Sequence, residues 1–284
     1  LFAVQYSLSA RMRRRCERHQ RPDVDAAGIF GSIQGMPSFF VPFPDWQTDT
    51  VVLTPEESRH AAQVLRLGPG APVKIFDGTG RVAEAVVAEA GRKAVELRVN
   101  RTWQVARVQP EIHLIVALVR GERFDWLLQK ATELGAASIR PVAAARCVVK
   151  ITAEDESKRR SKWTQVAVEA AKQCGHVVLP EIFSLAGPKA AFHSAPAGLR
   201  GIPALCAAGR PLRDFFRADP PAITMAIGPE GDWTAEEMSA AQAAKFVPLH
   251  LGVNVLRSET AALHVLSAAT HHYHGGAGGL GERR

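Results

Sequence analysis

The sequence of 284 residues is poor in cysteine, with Cys16, Cys147, Cys174 and Cys206 as its four. They lie far apart, and no two stand in Cys-x-x-Cys spacing, so neither a zinc knuckle nor a dithiol redox motif is present. Free thiols in a reducing cytosol are the expectation. Long apolar runs are missing as well. The longest aliphatic run, LIVALV at 114–119, is far too short to cross a bilayer, and no membrane segment is expected. Neither a Gly-Lys-Ser/Thr P-loop nor a GxGxxG motif occurs, which excludes those two ways of holding phosphates. No repeat recurs at a fixed period.

Charge is present but unevenly placed. The formal net charge of +7 invites a nucleic-acid partner. Residues 1–36 hold six Arg against three acids, while the remaining chain carries 29 basic and 25 acidic groups. The body is only mildly basic, so RNA binding must rest on local clusters. The Arg-rich segment lacks the apolar core of a secretory signal, and Glu17, Asp23 and Asp25 argue against a transit peptide. Met36 is the expected natural start. Residues 1–35 then form an upstream read-through or a disordered arm.

Residues 37–104 read as a small β-rich domain. Thr54, followed by Pro55, Glu56 and Glu57, opens a helix. His60, Val64, Leu65 and Leu67 are expected on its apolar side, and Gly68 ends it. Strands are expected at 72–76, 81–88 and 94–99, with a hairpin signal at Asp77-Gly78-Thr79-Gly80. Arg59, Arg66, Lys74 and Arg81 are candidates for an RNA-facing surface, or else a solvated face. Residues 100–110 read as a polar linker.

From residue 111 strands alternate with helices, which predicts a parallel α/β domain over 105–274. Strand 111–119 precedes a helix whose Phe124, Leu127, Leu128, Ala131 and Leu134 form a core stripe, with Lys130 and Glu133 off it and Gly135 as the stop. A strand at 138–142 and a helix opened by Thr152 follow. Lys158, Arg159, Arg160 and Lys162 on that helix are candidates for phosphate contact. A short strand is expected at 203–207. The Gly-rich tail, 275–284, reads as mobile, and His271, His272 and His274 before it read as surface residues rather than metal ligands.

The chain is organised around 222–269. A strand at 222–228 runs into the loop Gly228-Pro229-Glu230-Gly231-Asp232, and Thr234 with Glu237 forms a capping box for the next helix. A second strand at 246–252 runs into Val253-Asn254-Val255-Leu256-Arg257 and the last helix, with Ser258 the expected cap and Glu259 in its first turn. Open α/β sheets bind ligands outside the carboxyl ends of their strands, where such loops lie. Gly228, Gly231 and Gly252 permit close approach of a ligand to the backbone.

Three blocks in order, RGERFDWLLQKATELGA at 120–136, IGPEGDW at 227–233 and LGVNVLRSETA at 251–261, resemble the RsmE family. These are methyltransferases of the SPOUT superfamily that modify a uridine of 16S ribosomal RNA at N3. The resemblance covers about 37–273. It implies a PUA-like N-terminal β-barrel that holds RNA and a C-terminal SPOUT-type α/β domain with a trefoil knot. It implies S-adenosylmethionine as methyl donor, the small ribosomal subunit as partner, a homodimer that completes the site, and a cytoplasmic location without metal. The cofactor would be held by Leu205, Ile227, Gly228, Pro229, Glu230, Gly231, Leu251, Gly252, Val255, Leu256 and Thr260. RNA would meet Arg59, Arg66, Lys130, Arg146 and Lys150. The chain departs from the family pattern at Ala144-Ala145, where Ser-Glu is usual. It departs also at His176 and Asn254, where Arg is usual, and at Asp232, where Gly is usual.

Uracil N3 carries a proton at neutral pH, so methylation there needs its removal and stabilisation of charge on the flanking carbonyl oxygens. Arg257 is the best candidate cation, with Glu230 and Glu259 the nearby carboxylates. Each acid has a structural alternative: Glu259 would serve its helix dipole, and Glu230 would brace its loop. Two further functions remain open at this point, a knotted methyltransferase acting on another RNA and a non-catalytic ribosome-assembly factor.

Overall fold

A computed structural model describes residues 36–275 apart from 43–45, 47–48, 92–93, 206–208 and 217–218. The extension before Met36, the tail after Gly275, Cys16 and Cys206 lie outside the described residues.

The N-terminal part is a five-stranded sheet. Its strands are β1 (Ser38–Phe40), β2 (Thr50–Val52), β3 (Pro72–Phe76), β4 (Arg81–Ala90) and β5 (Val95–Gln104), in the order β1-β3-β4-β5-β2. β1 and β3 are parallel and the other pairs antiparallel. Phe39, Val51, Ile75 and Leu97 are fully buried in its core. The β3–β4 hairpin forms where expected: Asp77 Oδ1 accepts from the amides of Thr79 and Arg81, and Gly78 and Gly80 take positive φ.

Three expectations for this part fail for tertiary reasons. Thr54 does cap α1 (Pro55–Arg59), but after five residues the helix widens into a π turn over His60–Val64. That extra residue per turn rotates the apolar side. Val64 is 65% exposed, and Glu57, Ser58 and Ala61 are buried instead. β5 continues to Gln104, so half of the expected linker is strand. Lys74 is buried, and its burial lowers its pKa, so it is no part of an RNA-facing surface. The Arg81 guanidinium lies over the Trp46 ring, 4.7 Å from its centroid.

The second part is a parallel sheet of seven strands. In chain order its elements are β6 (Glu111–Ala117), α2 (Gly121–Glu133), β7 (Ser138–Val142), α3 (Ala153–Cys174), β8 (Glu181–Ile182), α4 (Pro188–His193) and β9 (Leu199–Pro203). They continue with β10 (Arg210–Pro211), α5 (Leu212–Phe215), β11 (Ala222–Ile227), α6 (Ala235–Ala243), β12 (Val247–His250) and α7 (Ser258–His274). The spatial order is β10-β12-β9-β11-β6-β7-β8. β11 therefore enters between β6 and β9, and β12 between β9 and β10. The strand expected at 203–207 lies earlier, at β9. Gly201 within it has Leu249 so close that an added Cβ would stand 2.6 Å from Cδ1. Phe124, Leu127, Leu128 and Ala131 of α2 are buried as expected, and Gly135 ends that helix at φ 78°.

The two parts meet through Phe76 and Val82 packed with Ala171 and Val177, and through the backbone pairs Gly80–Val177 and Leu179–Gly78. Lys172 Nζ of α3 donates to Glu57 of α1 at 2.9 and 3.1 Å, both side chains being about nine-tenths buried. Burial alone would lower the Lys172 pKa, but hydrogen bonding and charge from Glu57 and then Glu169 outweigh it and hold it above the ordinary value. Removing one partner of such a pair strands the other charge. Lys172→Ala should lower unfolding free energy by roughly 2–4 kcal/mol, read by chemical denaturation. A change within about 0.5 kcal/mol, the usual range of surface substitutions, would show that the pair contributes nothing.

Candidate functional site

A cavity of about 250 Å³ opens at the carboxyl ends of β9, β11 and β12, beside the β11–β6 position where the strand order turns back. Ile227, Leu249, Leu251, Leu256 and Ala261 give it an apolar wall, with main chain of the two loops as the rest. A second cavity of about 270 Å³ lies at the opposite ends of β6, β7 and β11, lined by Arg107, His113, Ser138 and Arg140 among others. It holds none of the residues that the sequence assigns to a site.

The first loop is rigidly held. The Trp233 indole lies under Gly228, where a Cβ would stand 3.0 Å from Nε1. The capping box forms as predicted, with Thr234 Oγ1 accepting from Glu237 N and Glu237 Oε2 from Thr234 N. Glu237 Oε1 also accepts from Ala145 N at 2.8 Å, and Arg146 Nη1 donates to Gly231 O at 2.7 Å. The 143–147 loop is thus clipped onto the first loop by two bonds. Ser258 does not cap α7. Arg257 is the N-cap residue, without a side-chain bond, and the Ser258 hydroxyl donates to Gly228 O at 2.7 Å. That bond ties the start of the last helix to the first loop.

Asp232 occupies the left-handed region at φ 60°. Asp tolerates this conformation better than most residues, which explains how it stands where the family pattern has Gly. Its Oδ1 accepts from Trp233 N, and Oδ2 accepts from Leu205 N at 3.0 Å. The carboxylate therefore pins Leu205, a wall residue 66% exposed, across the cavity mouth.

Of the cofactor candidates, Leu205, Ile227, Gly228, Pro229, Glu230, Leu251, Gly252, Val255 and Leu256 line the cavity. Gly231 stands behind it against Arg146, and Thr260 is exposed on the next helix. Of the three catalytic candidates Glu230 lines the wall, Arg257 is exposed between the lining residues Leu256 and Ser258, and Glu259 is buried in the first turn of α7. Among the RNA candidates, Arg59, Arg66 and Lys150 are exposed, Lys130 is paired with Glu133 at 2.7 Å, and Arg146 is the clip just described. Lys162 pairs with Asp125 and Arg160 donates to Ser184, so part of the basic face of α3 is engaged within the chain. His176 is held below the ordinary histidine pKa by burial, so it does not replace an Arg as a fixed charge. Among the described residues no three His, Cys, Asp or Glu are grouped as metal ligands, and no helix is long and apolar enough to cross a membrane.

Residues 107–270 match the RNA methyltransferase domain family, and 53–100 match the RNA methyltransferase PUA domain family. The ribosomal RNA small subunit methyltransferase E of Mycobacterium tuberculosis is 33% identical over 228 residues, which are 76% of this chain and 84% of that protein. The chain belongs to that family. The Bacillus subtilis protein of the same name is 27% identical over 79% of this chain and 91% of its own. The crystal structure of the Neisseria gonorrhoeae member, bound to S-adenosylmethionine, superposes with a TM-score of 0.74 at 31% identity, covering 83% of this chain and 97% of that one. These relatives are named as methyltransferases and give no support to a non-catalytic assembly factor.

Sequence reasoning missed three residues of the site. Arg123, ion-paired with Glu230 and Glu259, Ser258 as a loop tie, and Asp232 as a tether all act through partners remote in the chain. All three fall inside the family blocks, and that was the available signal. Asp232→Gly should keep the turn, since glycine accepts φ 60°, and shift stability by less than about 1 kcal/mol. Loss of the Leu205 tether should weaken methyl-donor binding about three- to tenfold by calorimetry, the worth of one partly exposed charged hydrogen bond. Unchanged affinity would show that Leu205 holds its place without it.

Proposed function

We propose that the chain methylates N3 of a uridine in 16S ribosomal RNA of the small subunit, using S-adenosylmethionine, in the cytoplasm and as a homodimer. The observation that carries the reading is the cavity at the carboxyl ends of β9, β11 and β12, built from the two loops that carry the family's blocks. Its residues fit the methyl donor. The apolar wall suits an adenine ring, the open backbone at Gly252 suits close approach, and the Glu230 carboxylate suits a cation. S-adenosylmethionine supplies a methyl group on a sulfonium leaving group. The protein's share is positioning and electrostatics.

In this reading Leu205, Leu251, Val255 and Leu256 enclose the adenine, and the backbone of 228–230 and 252 holds the ribose and amino-acid ends. Arg257, exposed at the cavity rim, stabilises the charge that develops on a uracil carbonyl as N3 loses its proton. Glu230 is the carboxylate placed to meet ligand, whereas Glu259 acts from behind the wall. Residues 37–104 hold RNA, with Arg59 and Arg66 on that surface, and 105–274 perform transfer. Arg146 and Lys150 extend the RNA contact to the cavity. The late entry of β11 and β12 between strands laid down earlier supports a chain threaded through its own loop, the trefoil knot of the resemblance. The exposed apolar side chains of Leu205, Val253 and Val255 around the mouth support a second copy covering it.

The test is transfer from labelled S-adenosylmethionine to undermodified small subunits, with naked 16S RNA in parallel and nucleoside analysis of the product. N3-methyluridine on subunits is expected. Another methylated nucleoside would overturn the base assignment while keeping the methyltransferase.

A further inference from the structure

Arg123 stands in the first turn of α2, just beyond the end of β6. Its Nη1 is 3.6 Å from Glu230 Oε1 on the first loop, and its Nε is 4.0 Å from Glu259 Oε1 at the start of α7. The guanidinium thus spans two elements that are 29 residues apart in the chain and that close the cavity from two sides. The two carboxylates differ. The Glu230 side chain is 38% exposed and lines the cavity, while that of Glu259 is 10% exposed. Glu259 Oε2 is buried without a hydrogen-bond partner among the described residues.

A carboxylate so placed needs compensation. Its position at a helix N-terminus offsets only a small part of the cost of taking an ion out of water. Among the described residues, the ion pairs of Glu259 are with Arg123 alone. The separations are those of ion pairs rather than tight hydrogen bonds, so the guanidinium works as a shared charge between two acids. Two carboxylates on one guanidinium also leave it little net field to offer a substrate, which separates its role from that of the exposed Arg257, which has no ion pair among the described residues.

We propose that Arg123 is the positioning residue of the methyl-donor site. It sets the spacing between the first loop and the last helix, holds Glu230 in the cavity wall, and pairs with the buried Glu259 behind it. The proposal rests on the methyl-donor reading given above. Arginine suits the position because its planar fork presents separate nitrogens to the two acids, Nη1 to Glu230 and Nε to Glu259.

The experiment uses the full chain and reads S-adenosylmethionine affinity by calorimetry, thermal stability, and kcat and KM separately. Arg123→Ala should raise the dissociation constant for the donor at least tenfold and lower the melting temperature. Arg123→Lys should recover part of both. In Arg123→Ala/Glu259→Gln the stranded buried charge is gone, so stability should return while donor affinity stays weak, because Glu230 is still untethered. A purely structural role predicts instead that affinity and stability recover together, and that result would overturn the proposal. So would wild-type affinity in Arg123→Ala. If the wild-type chain itself binds no donor, the methyl-donor reading fails and carries this proposal with it.

Discussion

Arg257→Ala should slow methyl transfer by roughly 10²–10³ and leave both the fold and donor binding in place. Arg257 is exposed and forms the N-cap of α7 without a side-chain bond, so its truncation removes no packing. Exposed substitutions of this kind shift stability by about 0.5 kcal/mol or less. Its backbone sits between two residues of the cavity wall, but its side chain is no part of that wall. Donor affinity should therefore change by less than about threefold, while kcat falls by roughly 10²–10³, the usual effect of losing one donor to a developing oxyanion. Single-turnover transfer with saturating donor checks this. Unchanged turnover would refute the role of Arg257 and move the charge-stabilising function to backbone N–H groups at the start of α7.

Gly252→Val should act on the other half of the reaction. Gly252 has φ 133°, a conformation that side-chain-bearing residues rarely adopt, yet an added Cβ would meet no atom within 4 Å. The substitution is thus a strain without a clash. Such strain costs about 1–3 kcal/mol, and valine, branched at Cβ, sits at the upper end. The loop can relieve it by turning its backbone, because Val253, Asn254 and Val255 beyond it are exposed. Relief moves Leu251 and Val255 in the wall. Donor affinity should fall about ten- to a hundredfold, at 1.4 kcal/mol per factor of ten, with little change in melting temperature. Gly201→Ala gives the opposite pattern: its Cβ would lie 2.6 Å from Leu249 Cδ1 and 3.0 Å from Met225 Sδ in the core. Stability should fall there first. Equal effects of the two variants on affinity and stability would show that wall and core are not separable in this way.

Local signals in the chain were enough to place most elements. Thr54, Thr152 and Thr234 each cap a helix with the side-chain bond expected of them. Gly135 and the Asp77–Gly80 turn end or reverse the chain where their conformational preferences require it. The two glycine-bearing loops were legible as a ligand site because strand, loop and helix start follow one another within a few residues. Family membership was legible for the same reason, since the three blocks are continuous in sequence.

What the sequence by itself determined were the features whose partners lie within about one turn of helix or one hairpin: caps, stops, strand identity and the residues of the two loops. Tertiary structure decided the features whose partners are far away. The α1 register, the burial of Lys74 and the Lys172–Glu57 junction depend on packing between the two sheets. The order in which β11 and β12 enter the sheet decides that their loops share one cavity with the end of β9. The bonds that hold that cavity open, Asp232 to Leu205, Ser258 to Gly228, Arg146 to Gly231, and Arg123 across to Glu230 and Glu259, join segments 27 to 136 residues apart. A hydrogen bond or ion pair acts over a few ångströms of space, and spacing along the chain carries no information about it until the fold has brought its two ends together.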